Sequence, residues 1–486
     1  MVTKRGSLLH SLDWFAITLF LILVVMGWFS ICGASYDYMD VNFFSFDQRT
    51  GKQAVWIACS LFLALALLLC EKRFYENFAY LFYIGLLLLG IATIFLGRDI
   101  KGSHSWLVLG PVSLQPAEFT KFATALALAK VMNSYQFSLE KTRDFITCLV
   151  IILLPMLIIM AQKETGSALV YIAFFLVLYR EGMSGSVLFL GLCTVLFFIL
   201  CIRYNDVYLL TMPVKVGTFV VLLLIQLFTV CVTFMWCKGR QRPFLTVLLI
   251  NAGGTLVGYL FSRYFIPFNV TWVQLLMLLA SAVYLFVHYL LERAKCYLWV
   301  LAFSVASVAF MYSSEYVFQN VLQAHQKVRI QVVLGLKEDL TGAGYNVNQS
   351  LIAIGSGGMT GKGFLNGTQT KLKYVPEQDT DYIFCTIGEE QGFLGASFVI
   401  LVFMALILRI IVIAERQVDA FGRVYGYSVA SIFLFHLFIN IGMVLGLTPV
   451  IGIPLPFFSY GGSSLWGFTL LLFILLRIDA ERNIRA

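Results

Sequence analysis

Two carboxylates two residues apart, Asp379 and Asp381, close a long polar loop in a chain that is otherwise almost continuously apolar. They sit in the run Tyr374-Val375-Pro376-Glu377-Gln378-Asp379-Thr380-Asp381-Tyr382-Ile383-Phe384, just ahead of a hydrophobic segment. A carboxylate at a membrane edge is costly unless it is paired or used. Asp381 is therefore the leading candidate for proton transfer, at a cleft on the outer interface. The plainer reading is an N-cap for the next helix, where Asp is favoured. Asp379 reads as a solvated or capping residue.

Glu118 and Lys121 form a second constellation. Their i, i+3 spacing places them on one helix face, where they can pair. A pair stripped of water in a bilayer is expensive and calls for a polar cavity; the alternative is a helix start with two snorkelling side chains. Gly355-Ser356-Gly357-Gly358 could present backbone N–H groups to a phosphate, but it lacks the Lys-Ser/Thr ending of a nucleotide loop and reads more simply as a turn. Lys362, Lys371 and Lys373, with Lys327 and Arg329, make the same loop basic, which suits an anionic substrate or acidic lipid headgroups. Pro454, Pro456 and Gly461-Gly462-Ser463-Ser464 interrupt the chain before its last apolar segment. Broken backbone of this kind survives in a membrane only when buried in protein or lining a cavity.

These groups must be positioned by membrane helices. The 486 residues are 60% hydrophobic and 12% charged, with a mean hydropathy of +0.87. That excludes an ordinary soluble domain and predicts an all-α polytopic membrane protein. About fourteen segments approach the ~20 residues a bilayer requires. The net charge of +8 is explained by Lys and Arg in cytoplasmic loops rather than by nucleic-acid binding. The ten cysteines form no Cys-x-x-Cys pair and the five histidines are far apart, so neither a zinc site nor a disulfide framework is indicated. The first apolar run, Trp14 to Cys32, reads as a retained helix rather than a cleaved leader. Basic residues alternate between loops: Lys4 and Arg5, Lys72 and Arg73, Lys141 and Arg143, Arg180, Lys238 with Arg240 and Arg242, Arg293 and Lys295, Arg416 and Arg423, then Arg477, Arg482 and Arg485. The other loops are poorer, with Asp37, Asp40 and Asp47 in the first; Arg98, Lys101, Lys163, Arg203 and Arg263 are the exceptions. This puts both termini in the cytoplasm and the loop of residues 320–388 outside. Such a long loop should carry short amphipathic helices and sharp glycine turns, partly re-entering the membrane.

Together these motifs resemble the shape, elongation, division and sporulation (SEDS) family of bacterial membrane proteins. The likeness is carried by Gly102-Ser103-His104-Ser105-Trp106 with Leu114 to Lys121, by Gln162-Lys163-Glu164-Thr165-Gly166-Ser167, by Gly342 through Asp381 to Gly388-Glu389-Glu390, and by Asn440-Ile441-Gly442-Met443 through Pro454-Leu455-Pro456 to Ser464. Gly367-Thr368-Gln369 is similar to the elongation branch, RodA, more than to the division branch, FtsW. The resemblance implies a peptidoglycan glycosyltransferase that polymerises lipid II on the outer face of the cytoplasmic membrane, for cell elongation and rod shape. It implies that Asp381 is catalytic and that Glu118 and Lys121 line a cavity. Lys362, Lys371, Lys373 and Gln369 are expected at the substrate. A divalent cation, Mg²⁺ or Mn²⁺, is implied with unknown ligands. So are a class B penicillin-binding protein, other elongation-complex membrane proteins and membrane lipids as partners. The sequence departs from the family pattern at Ser105, usually Arg, at Lys163, at Gly335-Leu336 and at Asp339-Leu340.

The expected division is a membrane core over 1–184, an insertion of about four helices over 185–295, a core helix over 296–318, the large loop over 319–389 and a C-terminal core over 390–486. An even number of extra helices keeps Asp381 outside. The inserted helices serve either as peripheral packing or as a docking surface. Asp381 is expected to deprotonate the 4-hydroxyl of the acceptor sugar, which displaces the donor's pyrophosphate with inversion. Two other classes stay open: a lipid II flippase, which wants its acid near mid-bilayer, and a non-catalytic scaffold.

Overall fold

The computed structural model describes residues 8–35, 44–100, 103–109, 112–209, 213–237, 241–337 and 343–485. Lys4, Arg5, Asp37, Asp40, Lys101, Gly102, Lys238, Arg240, Asp339, Leu340 and Gly342 lie outside the described residues. The chain forms two compact units, residues 1–184 with 340–486 and residues 185–339.

The first unit opens with helices α1 (Trp14–Ser35), α2 (Arg49–Leu69) and α3 (Lys72–Leu96). A small antiparallel sheet follows, β1 (Arg98–Ile100), β2 (Ser103–Leu109) and β3 (Val112–Leu114), with β2 central. Strands were not expected in an all-helical chain. Ser103, His104 and Ser105 alternate on β2, and the sheet is tied down by His104 N–H and Ser103 Oγ donating to the Gln162 carbonyl at 3.1 and 3.2 Å. Next come α4 (Pro116–Met132), α5 (Thr142–Ala161) and α6 (Thr165–Arg180), the last broken by a 3₁₀ turn at Val170–Ala173.

The second unit holds α7 (Gly185–Arg203), α8 (Val216–Trp236), α9 (Pro243–Tyr264), α10 (Thr271–Glu292), α11 (Lys295–Tyr316) and α12 (Ala324–Val333). It includes the helix over 296–318, since α11 packs on α7, α8 and α10. Its interior is stitched by side-chain bonds between helices: Gln226 Nε2 donates to the Gln274 carbonyl at 3.2 Å, Thr255 Oγ1 to Gln226 Oε1 at 3.0 Å, and Asn251 Nδ2 to Ser281 Oγ at 2.8 Å. Bonds of this kind supply specificity where lipid removes the hydrophobic drive for helix association.

The first unit resumes with α13 (Ala343–Ser356), α14 (Thr368–Lys371) and α15 (Ile383–Glu390), the short loop helices foreseen from the glycine pattern. It closes with α16 (Gly392–Glu415), α17 (Ala420–Val444) and α18 (Gly462–Arg485).

Among the described residues, twelve helices are long and apolar enough to cross a membrane, against about fourteen expected. The two that fall short are α4 and α6. The 17 residues of α4 pack against α3, α5, α17 and α18 and are buried nearly all round. With Ala117, Ala123, Ala125, Ala127 and Ala129 it is built for close helix approach rather than for lipid contact. The chain is a multi-pass membrane protein.

The first unit has two chemically distinct ends. At the start of α1, buried Asp13 takes Arg409 at 2.8 Å and Arg416 at 2.9 Å, and Arg416 also holds fully buried Asp479. Arg423–Glu181, Arg180–Glu415 and Lys72–Asp419 lie at the start of α17 or the end of α16. At the other end of α1, roughly 30 Å away for a 22-residue helix, Gln378 Nε2 donates to the Ala34 carbonyl at 2.6 Å. The arginine-rich end and the Asp381 end are thus opposite.

Candidate active site

The segment after α17, expected to be broken, is irregular from 445 to 461, and its second half is buried in protein: Ile453, Leu455, Phe457, Phe458 and Ser459 are all nearly inaccessible, whereas Leu447 and Gly452 are exposed. It forms the seat for the aspartate loop. Three successive carbonyls are pinned to it or to α17. Tyr460 N–H donates to the Asp379 carbonyl at 2.8 Å, Ser459 Oγ to that of Thr380 at 2.6 Å, and Asn440 Nδ2 to that of Asp381 at 2.9 Å. The peptide carrying Asp381 is fixed while its side chain stays partly exposed. Asp381 is not the N-cap of α15; that position is Tyr382, with no side-chain cap. Gly452, at φ +76°, lies against the carboxylate, and a Cβ there would stand 3.2 Å from Asp381 Oδ2.

Asp379 is neither solvated nor a cap. It is 4% exposed and paired with Arg49, whose guanidinium lies 5.7 Å from the Tyr460 ring centroid. The two carboxylates singled out by spacing therefore divide: Asp379 is neutralised in place and Asp381 is presented. Asp379 lines a polar cavity of about 480 Å³ together with Asp47, Gln48, Arg49, Lys373 and Glu377; Asp381 is not among its lining residues.

Glu118 and Lys121 are paired and sealed. Lys121 Nζ lies 2.7 Å from Glu118 Oε2, and the residues are 1–2% exposed, so they do not snorkel. Lys121 Nζ also lies 3.1 Å from His436 Nε2, and His436 Nδ1 lies 3.0 Å from the Pro454 carbonyl. Glu164, at the family-like Gln162-Lys163-Glu164 block, accepts from Gln115 Nε2 and from Ser167 Oγ at 2.7 Å. Burial holds its carboxyl above the usual range, while bonds from Ser105 and Ser167 pull the other way.

The lysines expected at an anion differ in availability. Lys362 Nζ is engaged at 2.7 Å by both Glu389 Oε1 and Thr368 Oγ1. Gln369 is half-buried and gives its backbone N–H to Glu389 at 2.9 Å. Lys371 is half-buried, and its charge acts on Glu390. Lys373 is exposed on the cavity rim at φ +53°. The glycine-rich turn is a structural device. Gly355 and Ser356 end α13, and the Gly357 and Gly358 N–H groups donate to the Ile354 and Gly355 carbonyls at 3.2 and 3.4 Å, so the run is a helix end and turn rather than a phosphate cradle. Further on, Lys362 N–H and Gly363 N–H donate to the Glu389 and Glu390 carbonyls at 3.0 and 2.9 Å. A Cβ on Gly361 would stand 2.2 Å from the Glu390 carbonyl oxygen.

The adjacent acids Glu389 and Glu390 have opposite fates. Burial would raise the Glu389 carboxyl, but Lys362 and the Gln369 and Thr370 N–H groups hold it below its usual range. Glu390, packed against Gly33 with one N–H donor from Leu365 at 3.2 Å, is pushed by burial from 4.5 up to about 7. A raised carboxyl favours the protonated folded state. Its contribution to stability is complete below pH 4.5, falls as pH rises, and is gone above about 7. Thermal unfolding followed from pH 4.5 to 8 should therefore decline across that window, and Glu390→Gln should make the decline shallower. An unchanged slope would show that Glu390 is not the titrating group.

Sequence reasoning placed Asp381, Glu118 and Lys121 at the site but passed over Arg49 and His436. A histidine within an otherwise apolar helix was the available signal for the latter.

The model for the cell cycle protein family FtsW/RodA/SpoVE matches residues 13–216 and 268–484. Residues 217–267, within the expected insertion, are left unmatched. The chain is 30% identical over 432 residues to the peptidoglycan glycosyltransferase RodA of Treponema pallidum (strain Nichols), covering 89% of each. It is 29% identical over 412 residues to the peptidoglycan glycosyltransferase MrdB of Escherichia coli (strain K12), covering 84% of this chain and 80% of that one. A solved chain from a peptidoglycan synthase complex that coordinates polymerization and crosslinking shares the fold, with a TM-score of 0.61 at 21% identity over 97% of this chain and 98% of that one. The packed core, the pinned aspartate loop and these matches agree, and the chain belongs to the FtsW/RodA/SpoVE family of cell cycle proteins, the SEDS family.

Proposed function

We propose that this chain is a peptidoglycan glycosyltransferase that polymerises lipid II, with Asp381 as general base. The observation that carries the reading is a partly exposed carboxylate on a peptide whose carbonyls are pinned at 379, 380 and 381. The names of its relatives support the activity. Pinning supplies the orientation that base catalysis needs. Asp381 accepts the proton of the acceptor sugar's 4-hydroxyl. The freed oxygen attacks the anomeric carbon of the donor, the bond to pyrophosphate breaks, and the polyprenyl pyrophosphate leaves with inversion. Because pyrophosphate is already a good leaving group, one base suffices where a glycosidase needs an acid as well.

The described residues do not assemble a resident metal centre: no group of three His, Cys, Asp or Glu side chains could hold an ion, and Asp379 is taken by Arg49. Any Mg²⁺ or Mn²⁺ would enter with the substrate's pyrophosphate. Lys373, exposed on the cavity rim, is the cation assigned to that charge, since Lys362 is held by Glu389.

The arginine-rich end of the first unit supports a cytoplasmic placement for both termini and, with it, a periplasmic Asp381. Work on cell elongation, beside a class B penicillin-binding protein that crosslinks the new strands, follows from the same reading. The test is incubation of the purified chain with lipid II and separation of glycan strands by length. Polymer formation supports the assignment; flipping of labelled lipid II in proteoliposomes without polymer would replace it with transport. Gly452→Ala probes the carboxylate's seat. A Cβ would be strained in the left-handed backbone already present there and would crowd Asp381, and polymerisation should fall between about tenfold and 10²-fold while the protein still folds.

A further inference from the structure

The sealed Glu118–Lys121 pair cannot meet a substrate, yet it contacts the site through one side chain. The Pro454 carbonyl can only accept a hydrogen bond, so His436 Nδ1, 3.0 Å away, carries the proton and donates. Its Nε2 is then a bare lone pair, 3.1 Å from the Lys121 ammonium, which also donates to Glu118 at 2.7 Å. The imidazole stands edge-on to Phe468 with centroids 4.8 Å apart, and Lys121 Nζ lies 4.8 Å from the same ring centroid. Glu118, Lys121 and His436 are each at most 2% exposed, which leaves the ring one neutral tautomer and one orientation.

One turn further along α17, Asn440 Nδ2 donates to the Ile453 carbonyl at 2.7 Å and to the Asp381 carbonyl at 2.9 Å. Two residues of one helix face thus grasp the adjacent carbonyls 453 and 454. Gly452, the residue before them, abuts the Asp381 carboxylate.

We infer that His436 is a positioning residue for the transfer reaction: it ties the Glu118–Lys121 pair to the 452–454 backbone and so, with Asn440, sets the place of the Asp381 carboxylate. The ion pair's part is to hold the imidazole neutral with its proton on Nδ1. This rests on the reading of Asp381 as the base.

The test separates positioning from core filling. His436→Phe keeps the ring and its packing on Phe468 but has no polar atom; His436→Gln keeps a donor and an acceptor. With lipid II, His436→Phe should lose roughly 10²-fold in kcat with KM within a few-fold, and His436→Gln should recover about tenfold of that loss. The inference is overturned if His436→Phe works at the parent rate, if its loss lies in KM alone, or if Gln rescues nothing. A second measurement covers a variant that fails to fold. In ¹⁵N-histidine-labelled full-length protein at pH 7, the His436 signal should report a neutral ring protonated at Nδ1. An imidazolium or an Nε2–H ring overturns the inference. If the parent makes no polymer, the function proposed above fails instead, and the tautomer measurement still decides the geometry.

Discussion

Asp381→Asn should leave the fold intact and stop polymer formation, a loss of about 10²–10⁴-fold. The side chain enters no cap, and the bond from Asn440 goes to the backbone carbonyl, so the substitution leaves that seat unchanged. What it removes is the capacity to accept a proton from a sugar hydroxyl. Thermal unfolding should match the parent, and substrate affinity should change little, because an amide fills the same volume. Polymerisation at the parent rate would remove Asp381 from the chemistry. The contrasting variant is Arg49→Leu. It strands the nearly buried Asp379 carboxylate, so it should lower stability as well as rate.

The second large effect concerns the buried ion pair. Lys121→Met leaves Glu118 charged and unpaired inside the bundle, which should destabilise the protein by about 3–5 kcal/mol. Glu118→Gln combined with Lys121→Met should restore most of that stability, since a buried pair replaced by neutral groups of similar volume is often no worse than the pair itself. Activity should not return in the double variant, because His436 still lacks the ammonium that faces its Nε2. Lys121→Arg should do less harm than Lys121→Ala. Unfolding midpoints and strand synthesis measured on the same preparations check both statements. Full activity in the double variant would reduce the pair to a structural element.

Loop placement also separates the candidate lysines. Lys362 and Lys373 looked equivalent as exposed cations near an anion. The structure commits Lys362 to Glu389, a fully buried acid that also collects the N–H groups of Gln369 and Thr370. Loss of Lys362 should therefore loosen the loop, whereas loss of Lys373 should act on binding alone.

What the sequence determined by itself is everything set by short range. Long apolar runs require a membrane, because their composition leaves no other solvent. The i, i+3 spacing of Glu118 and Lys121 makes them neighbours on any helix. Prolines 454 and 456 with the following glycines break the helix whatever surrounds them, and the glycines near 357–363 demand a tight turn. The position of Asp381 at the end of a polar loop follows from the same local reading.

Tertiary structure decided the rest. Arg49 and Asp379 lie 330 positions apart, and Lys121 and His436 lie 315 apart, so no local pattern joins them. Which of two aspartates is neutralised, which of two adjacent glutamates is pushed up and which is held down, and which helix of modest hydropathy is buried at the centre all depend on what packs against each from distant segments. A carboxylate's charge state and reach are set by the dielectric and the donors around it, and in this protein those come from elements that meet only after the chain has folded.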